Sequence, residues 1–320
     1  MTILRLASID AGTNTFRLLI ADISHDGKIN PLFTKRIITR MGEGLNSNNH
    51  LTDQAMMRGF NALKDFSRNI EAYQVKEVLG VATSAFRKAR NAKRFLEKVH
   101  NELGITLKII NRFEEGILMF KGVKGVIDFY TPSHLIFDIG GGSTEFVLSG
   151  GNDFKDINSL DLGVVYCTEK FLSNDPPAKD ELNKLEAFIL KTLLQLQDNY
   201  EKNLLSDLIS QDKLTIVGTA GTATTLAAID QKMRNYNPEK INNYSLSKNR
   251  IKDIFKELIS MSSRQRKALP GIESGREDLI ISGVIIIINI LELFAQDNLI
   301  VSDAGLLEGI LWNWIEGLRH

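Results

Sequence analysis

At 320 residues the chain is longer than one hydrophobic core usually organises, so two domains are expected. Its 43% apolar and 24% charged content belongs to a folded chain and excludes wholesale disorder. Thirty-nine basic residues balance 39 acidic ones, so no global field points to nucleic acid or a membrane surface, and a polyanionic ligand would have to be met by local donors.

The first predicted strand runs from Leu4 to Ile9 and ends at Asp10. The turn Ala11-Gly12-Thr13-Asn14-Thr15 follows, then a strand from Phe16 to Ile23, a hairpin signal at Asp26-Gly27 and a third strand near Ile29 to Ile38. Helical spacing occupies Ala55 to Tyr73. A strand is expected at Glu77 to Ala82, and Thr83-Ser84-Ala85-Phe86-Arg87 reads as a helix start with capping hydroxyls. A helix over Asn91 to Leu103, a strand over Thr106 to Ile110 and a helix from Glu114 complete the first half. Glu114-Glu115 at that helix start would be placed there by the macrodipole alone.

The second half opens in the same way. Leu135-Ile136-Phe137 ends at Asp138, Ile139-Gly140-Gly141-Gly142-Ser143-Thr144 is the turn, and Glu145 to Leu148 returns. Gly150-Gly151-Asn152 makes the next turn and Phe154 to Leu160 the next strand. Lys179 to Tyr200 is helical. Leu214 to Val217 is a strand, and Val217 to Thr225 is a third strand-to-turn-to-helix element that reads either as a phosphate-accepting helix start or as a tight structural turn. Leu279 to Phe294 is apolar but interrupted by Ser282, Asn289 and Glu292, so a buried core helix is expected there, not a membrane span. His134 is expected in a strand, and the single Cys167 as a small buried hydrophobe. The five histidines have no metal-ligand spacing. The N-terminus enters a strand pattern without signal-peptide features, which gives a cytoplasmic expectation with no membrane and no nucleic-acid partner.

The order strand, Asp, Gly/Ser/Thr turn, strand, turn, strand, helix thus occurs twice, near residues 4–39 and 135–162. Small residues bring backbone N–H groups close to an anion, and the hydroxyls add donors. The carboxylates of Asp10, Asp138 and Glu145 would repel phosphate unless a cation intervenes. Mg²⁺ follows from that charge balance, since it takes one or two carboxylates and completes its shell with water and substrate oxygens. Arg87 is a candidate phosphate fork.

These residues resemble the exopolyphosphatase/guanosine pentaphosphate phosphohydrolase (Ppx/GppA) family. The resemblance rests on Asp10 to Leu18, Ala82 to Arg87, Glu114-Glu115-Gly116, Phe137 to Glu145, Gly163-Val164-Val165 and Val301 to Gly309, in order along the chain. It implies an α/β fold of two ribonuclease-H-like lobes, of the actin-like, sugar-kinase-like superfamily, around a hinged cleft. The expected lobes are residues 1–125 with 306–320, and 126–305, in a short two-domain form. By resemblance Glu115 activates the attacking water. Asp10, Asp138 and Glu145 take the acidic positions linked to Mg²⁺, and Thr13, Asn14, Thr15, Arg87, Gly140, Gly141, Gly142 and Ser143 take phosphate-binding positions. Gly116 stands where the family usually has alanine, and Ala220 where glycine is frequent.

The implied activity is Mg²⁺-dependent release of terminal phosphate from inorganic polyphosphate, with pppGpp as a further substrate, and a homodimer is left open. Two alternatives stand beside it: a non-catalytic sensor of polyphosphate or alarmone, and an ATPase or kinase of the same superfamily using the third turn.

Overall fold

The computed structural model describes residues 4–25, 27–150, 153–199 and 214–318. Asp26, Gly151, Asn152, Tyr200 and His320, which figure in the expected turns, helix end and domain limits, lie outside the described residues. The chain divides into two compact units, one of residues 1–122 with 306–320 and a second of residues 123–305.

In the first unit β1 (Leu4–Ala11), β2 (Thr15–Ile23), β3 (Ile29–Ile38), β4 (Glu77–Ala82) and β5 (Leu107–Ile109) form a sheet in the order β3-β2-β1-β4-β5. The first three strands pair antiparallel, and β4 and β5 join in parallel. Gly27, at φ 82°, supplies the left-handed residue of the first hairpin, its N–H donating to Ser24 O at 2.8 Å. Helices α1 (Asp53–Ala72), α2 (Ser84–Lys88), α3 (Ala92–Leu103) and α4 (Arg112–Lys124) follow their strands. Thr52 caps α1 by accepting from Ala55 N at 3.1 Å, and Gly104 closes α3 at φ 67°.

The sheet is packed on both faces. Phe16, Leu18, Ile20, Phe66, Phe86 and Phe95 share one core. On the other face Leu6, Leu19 and Ala21 meet Leu307, Leu311 and Ile315 of α10 (Leu306–Gly317), the helix that returns the end of the chain to this unit. Gly309 permits that return: a Cβ there would lie 1.7 Å from Leu118 O.

The second unit has β6 (Ser133–Ile139), β7 (Thr144–Gly150), β8 (Asp153–Leu160), β9 (Leu214–Thr219), β10 (Tyr244–Ser247) and β11 (Asn298–Val301), ordered β10-β11-β9-β6-β7-β8. Stripped of the antiparallel edge strand β10, this is the strand order of the first sheet. Both units therefore have the expected ribonuclease-H-like topology. Helices α5 (Val164–Phe171), α6 (Lys179–Asn199), α7 (Ala220–Asp230), α8 (Lys248–Ile259) and α9 (Ile280–Leu293) complete it. The apolar stretch of α9 is buried on all sides from Ile280 to Leu291, as a helix without a polar face must be. Among the described residues no helix is long and apolar enough to cross a membrane.

Candidate active site

Each sheet ends its first hairpin in a turn, and the two turns are built alike. A constant offset of 128 residues carries Asp10, Gly12, Thr15, Arg17 and Ile20 onto Asp138, Gly140, Ser143, Glu145 and Leu148. Asp10 faces Arg17 across the strands as Asp138 faces Glu145. Gly12 N donates to Thr15 O at 3.1 Å as Gly140 N donates to Ser143 O at 2.9 Å. Even the register shift of the outer strand pair recurs, after Ile20 and after Leu148.

A glycine from the returning chain packs under each turn. A Cβ on Gly42 would lie 2.3 Å from Thr13 Cγ2, and one on Gly163 would lie 2.3 Å from Gly141 O. The backbone completes the fit: Gly42 N donates to Thr13 O at 2.8 Å, and Val164 N and Val165 N at the start of α5 donate to the carbonyls of Gly140 and Gly141 at 3.0 and 2.9 Å.

The chemistry of the turns differs where the offset places opposite charges. In the first, Arg17 Nε and Nη2 donate to Asp10 Oδ2 at 2.9 and 2.7 Å, so that carboxylate is neutralised within the protein. Asp10 Oδ1, Thr13 Oγ1, Asn14 Oδ1 and Thr39 Oγ1 are buried and find no hydrogen-bond partner among the described residues. Thr15 Oγ1 receives only Asn14 Nδ2, at 3.4 Å. Four orphaned polar atoms around one turn are costly unless a polar ligand satisfies them. The hydroxyls can donate to phosphate oxygens, while Asp10 Oδ1 and Asn14 Oδ1 suit a water or a cation.

In the second turn Asp138 lies directly opposite Glu145, a destabilising placement for like charges. Glu145 is 1% exposed, and its Oε1 accepts from Ser143 Oγ at 2.7 Å and Ser159 Oγ at 3.0 Å. Gly140, Gly141 and Gly142 are half-buried. A cation fits this donor set in one particular form. No cluster of three or more His, Cys, Asp or Glu able to hold a metal occurs among the described residues. A Mg²⁺ touching one or two of these carboxylates and otherwise bound by water and phosphate oxygens is compatible with this donor set.

The two glutamates that begin α4 separate cleanly. Glu114 and Asn111 form a reciprocal cap: Glu114 N donates to Asn111 Oδ1 at 2.9 Å, and Asn111 N to Glu114 Oε2 at 2.8 Å. Lys108 Nζ donates to Glu114 Oε1 at 2.7 Å, and this bond, with the Asn111 amide, holds the Glu114 carboxyl below its ordinary pKa. Glu115 instead accepts from Arg87 Nη1 at 2.5 Å, both side chains being largely buried. Arg87 Nη1 also donates to Ile110 O at 3.1 Å, so the end of β5 fixes the guanidinium. The expected hydroxyl cap of α2 is not made: the Thr83 side chain forms no cap bond, and its carbonyl accepts from Phe86 N and Arg87 N.

The third turn is filled by the protein itself. Arg276, held by Glu273 Oε2 at 2.9 Å, lies over Gly221 so closely that a Cβ there would be 1.5 Å from Nη1. A guanidinium therefore lies at the start of α7. Ala220 takes the left-handed conformation at φ 61°, the reason glycine suits this position. Cys167 is buried, with its thiol pushed up to about 12 by desolvation, and cannot serve as a nucleophile at neutral pH.

Sequence reasoning did not assign roles to Arg17, Thr39, Gly42 or Ser159. Arg17 was accessible, because the hairpin register places it opposite Asp10. The other three reach the turns only through the third strand and the segment after it.

The chain matches known proteins over nearly its whole length. The family model described as the Ppx/GppA phosphatase family matches residues 19–317. The chain is 35% identical to a bifunctional 3-dehydroquinate synthase/phosphatase of Fusobacterium nucleatum over 97% of its length, and spans 46% of that protein. It is 31% identical to exopolyphosphatase 2 of Mycobacterium tuberculosis, over 97% of this chain and 98% of the relative. The crystal structure of the Aquifex aeolicus Ppx/GppA family member superposes with a TM-score of 0.79 at 33% identity, covering 100% of both chains. This chain belongs to the Ppx/GppA phosphatase family.

Proposed function

We propose that this chain is a Mg²⁺-dependent phosphohydrolase that releases terminal phosphate from inorganic polyphosphate and cleaves the terminal phosphoanhydride of pppGpp by the same chemistry. The observation that carries this reading is the set of orphaned buried atoms on Asp10, Thr13, Asn14 and Thr39, a polar cradle that asks for a phosphate and its cation.

In the proposed reaction a water oxygen forms a bond to the terminal phosphorus while the bridging P–O bond breaks. The shortened chain leaves with that oxygen, and inorganic phosphate is released. Glu115 takes the water proton, and Arg87 holds its carboxylate in place from the side. The hydroxyls of Thr13, Thr15 and Ser143 and the glycine backbone of the second turn neutralise the phosphoryl oxygens, where most catalysis of phosphoryl transfer arises. Bound Mg²⁺ would supply charge neutralisation on the substrate oxygens, with Asp10, Asp138 and Glu145 as the carboxylates available to it. Each catalytic and phosphate-binding assignment is part of this proposal.

The test is Glu115→Gln, which keeps shape and removes the base. Turnover should fall about 10²–10⁴-fold with substrate affinity retained. Near-normal turnover would remove Glu115 from the reaction.

A further inference from the structure

We propose that the loop between α7 and β10 is a second oligophosphate site, distinct from the two turns, that takes a di- or triphosphate group. Residues of this loop line a cavity of about 480 Å³, including Lys232, Arg234, Lys240, Asn235, Asn237 and Tyr236. That volume lies within the roughly 300–1,000 Å³ usual for ligand pockets. Among the described residues none of the three cations forms an ion pair, whereas nearby Lys248 and Arg250 pair with Asp297 and Asp230. In a chain of zero net charge, three unmatched cations around one cavity are a local field for a polyanion.

Backbone and acid placement support the same reading. Lys232 is held at φ 51° by a helix-ending turn, its N–H donating to Ile229 O at 2.9 Å. Glycine suits that conformation, and a turn alone does not require an ammonium there. Glu239, the acid on the loop, is exposed and is not among the cavity's lining residues. Asp303 is engaged by the Tyr236 hydroxyl, which also fixes the ring, and its N–H donates to Asn242 Oδ1 at 2.8 Å. Tyr236, 43% exposed, retains ring surface on which a base could stack. The choice of oligophosphate over other polyanions rests on the phosphohydrolase reading; the demand for a polyanion does not.

The experiment is calorimetric titration of the full chain with methylenediphosphonate and with guanosine 5′-(α,β-methylene)diphosphate, neither of which has a hydrolysable bridge. The parent is compared with Lys232→Gly/Arg234→Ala/Lys240→Ala and, should that variant melt early, with the exposed single change Arg234→Glu. The triple variant is expected to lose about one equivalent of bound ligand and to show a shallower salt dependence. Preference for the guanosine compound that vanishes in Tyr236→Leu identifies the site's ligand as a nucleotide; equal binding of both identifies it as the phosphate chain. Unchanged stoichiometry, affinity and salt slope in folded variants overturns the proposal. Phosphate release with loop-independent binding removes this site alone, whereas loop-dependent binding without any hydrolysis removes the catalytic reading alone.

Discussion

Successive residues of an α-helix point about 100° apart, and that angle separates the roles of Glu114 and Glu115. The first is consumed by the Asn111 cap and Lys108; the second is aimed at Arg87. Arg87 therefore cannot be a phosphate fork alone, because it also orients the proposed base. Arg87→Ala is expected to lower kcat as well as raise KM, by about 10–100-fold in kcat/KM, in line with a charged hydrogen bond of about 1.5–3 kcal/mol. Arg87→Lys should not restore it, since an ammonium lacks the fork that serves Ile110 O and Glu115 together. Steady-state kinetics decide the matter: a raised KM with unchanged kcat would confine Arg87 to binding.

A second residue carries a pH signature of stability. His134 is 1% exposed, stacks on Phe129 at 4.1 Å, and has its pKa pushed down to about 4 by desolvation. The folded state thus resists protonation relative to the unfolded chain. The contribution is fully present above about pH 6.5 and is lost as pH falls from there through 4. The loss should reach about 2 kcal/mol by pH 5 and about 3 kcal/mol once protonation is complete. Urea unfolding of the parent and of His134→Gln at pH 7 and pH 5 measures it, and equal pH dependence in both would exclude His134 as the source.

At the level of elements, the strand–turn–strand units were legible because their signals are local: alternating apolar residues, an acid at the strand end, and glycines where the chain reverses. What lies under the turns was not legible, because contact between Gly163 and Gly141 or between Arg276 and Gly221 depends on distant segments folding back. Two substitutions should therefore act in opposite directions. Gly163→Ala forces a methyl into the Gly141 peptide and should destabilise by about 1–3 kcal/mol. Ala220→Gly relieves the left-handed strain at φ 61° and, after the entropic cost of glycine, should stabilise by about 0.5–1 kcal/mol. Thermal unfolding reports both, and a neutral Gly163→Ala would mean that the second turn yields without cost. The failed cap at Thr83 has the same origin as the other omissions: a hydroxyl beside a helix start is a local signal, and whether it bonds is settled by the surrounding backbone.

The molecule as a whole repeats one design with one charge inverted. The 128-residue offset preserves the acid, the turn glycine and the register shift, yet exchanges Arg17 for Glu145. The repeat itself was readable from the order of strands and turns. The consequence of the exchange required the hydrogen bonds: one turn pairs its acid with Arg17, and the other sets Asp138 in register with a glutamate held by two serine hydroxyls. A chain with zero net charge cannot gather a polyanion by its overall field, so the proposed activity rests on local donors in these turns and on the proposed Mg²⁺. The most direct measurement is phosphate release by the purified chain from polyphosphate, pppGpp and ATP side by side, with Mg²⁺ and with excess chelator. The expected result is release from polyphosphate or pppGpp in Mg²⁺, none in chelator, and little from ATP; release undiminished by chelator, or turnover of ATP alone, would contradict the account.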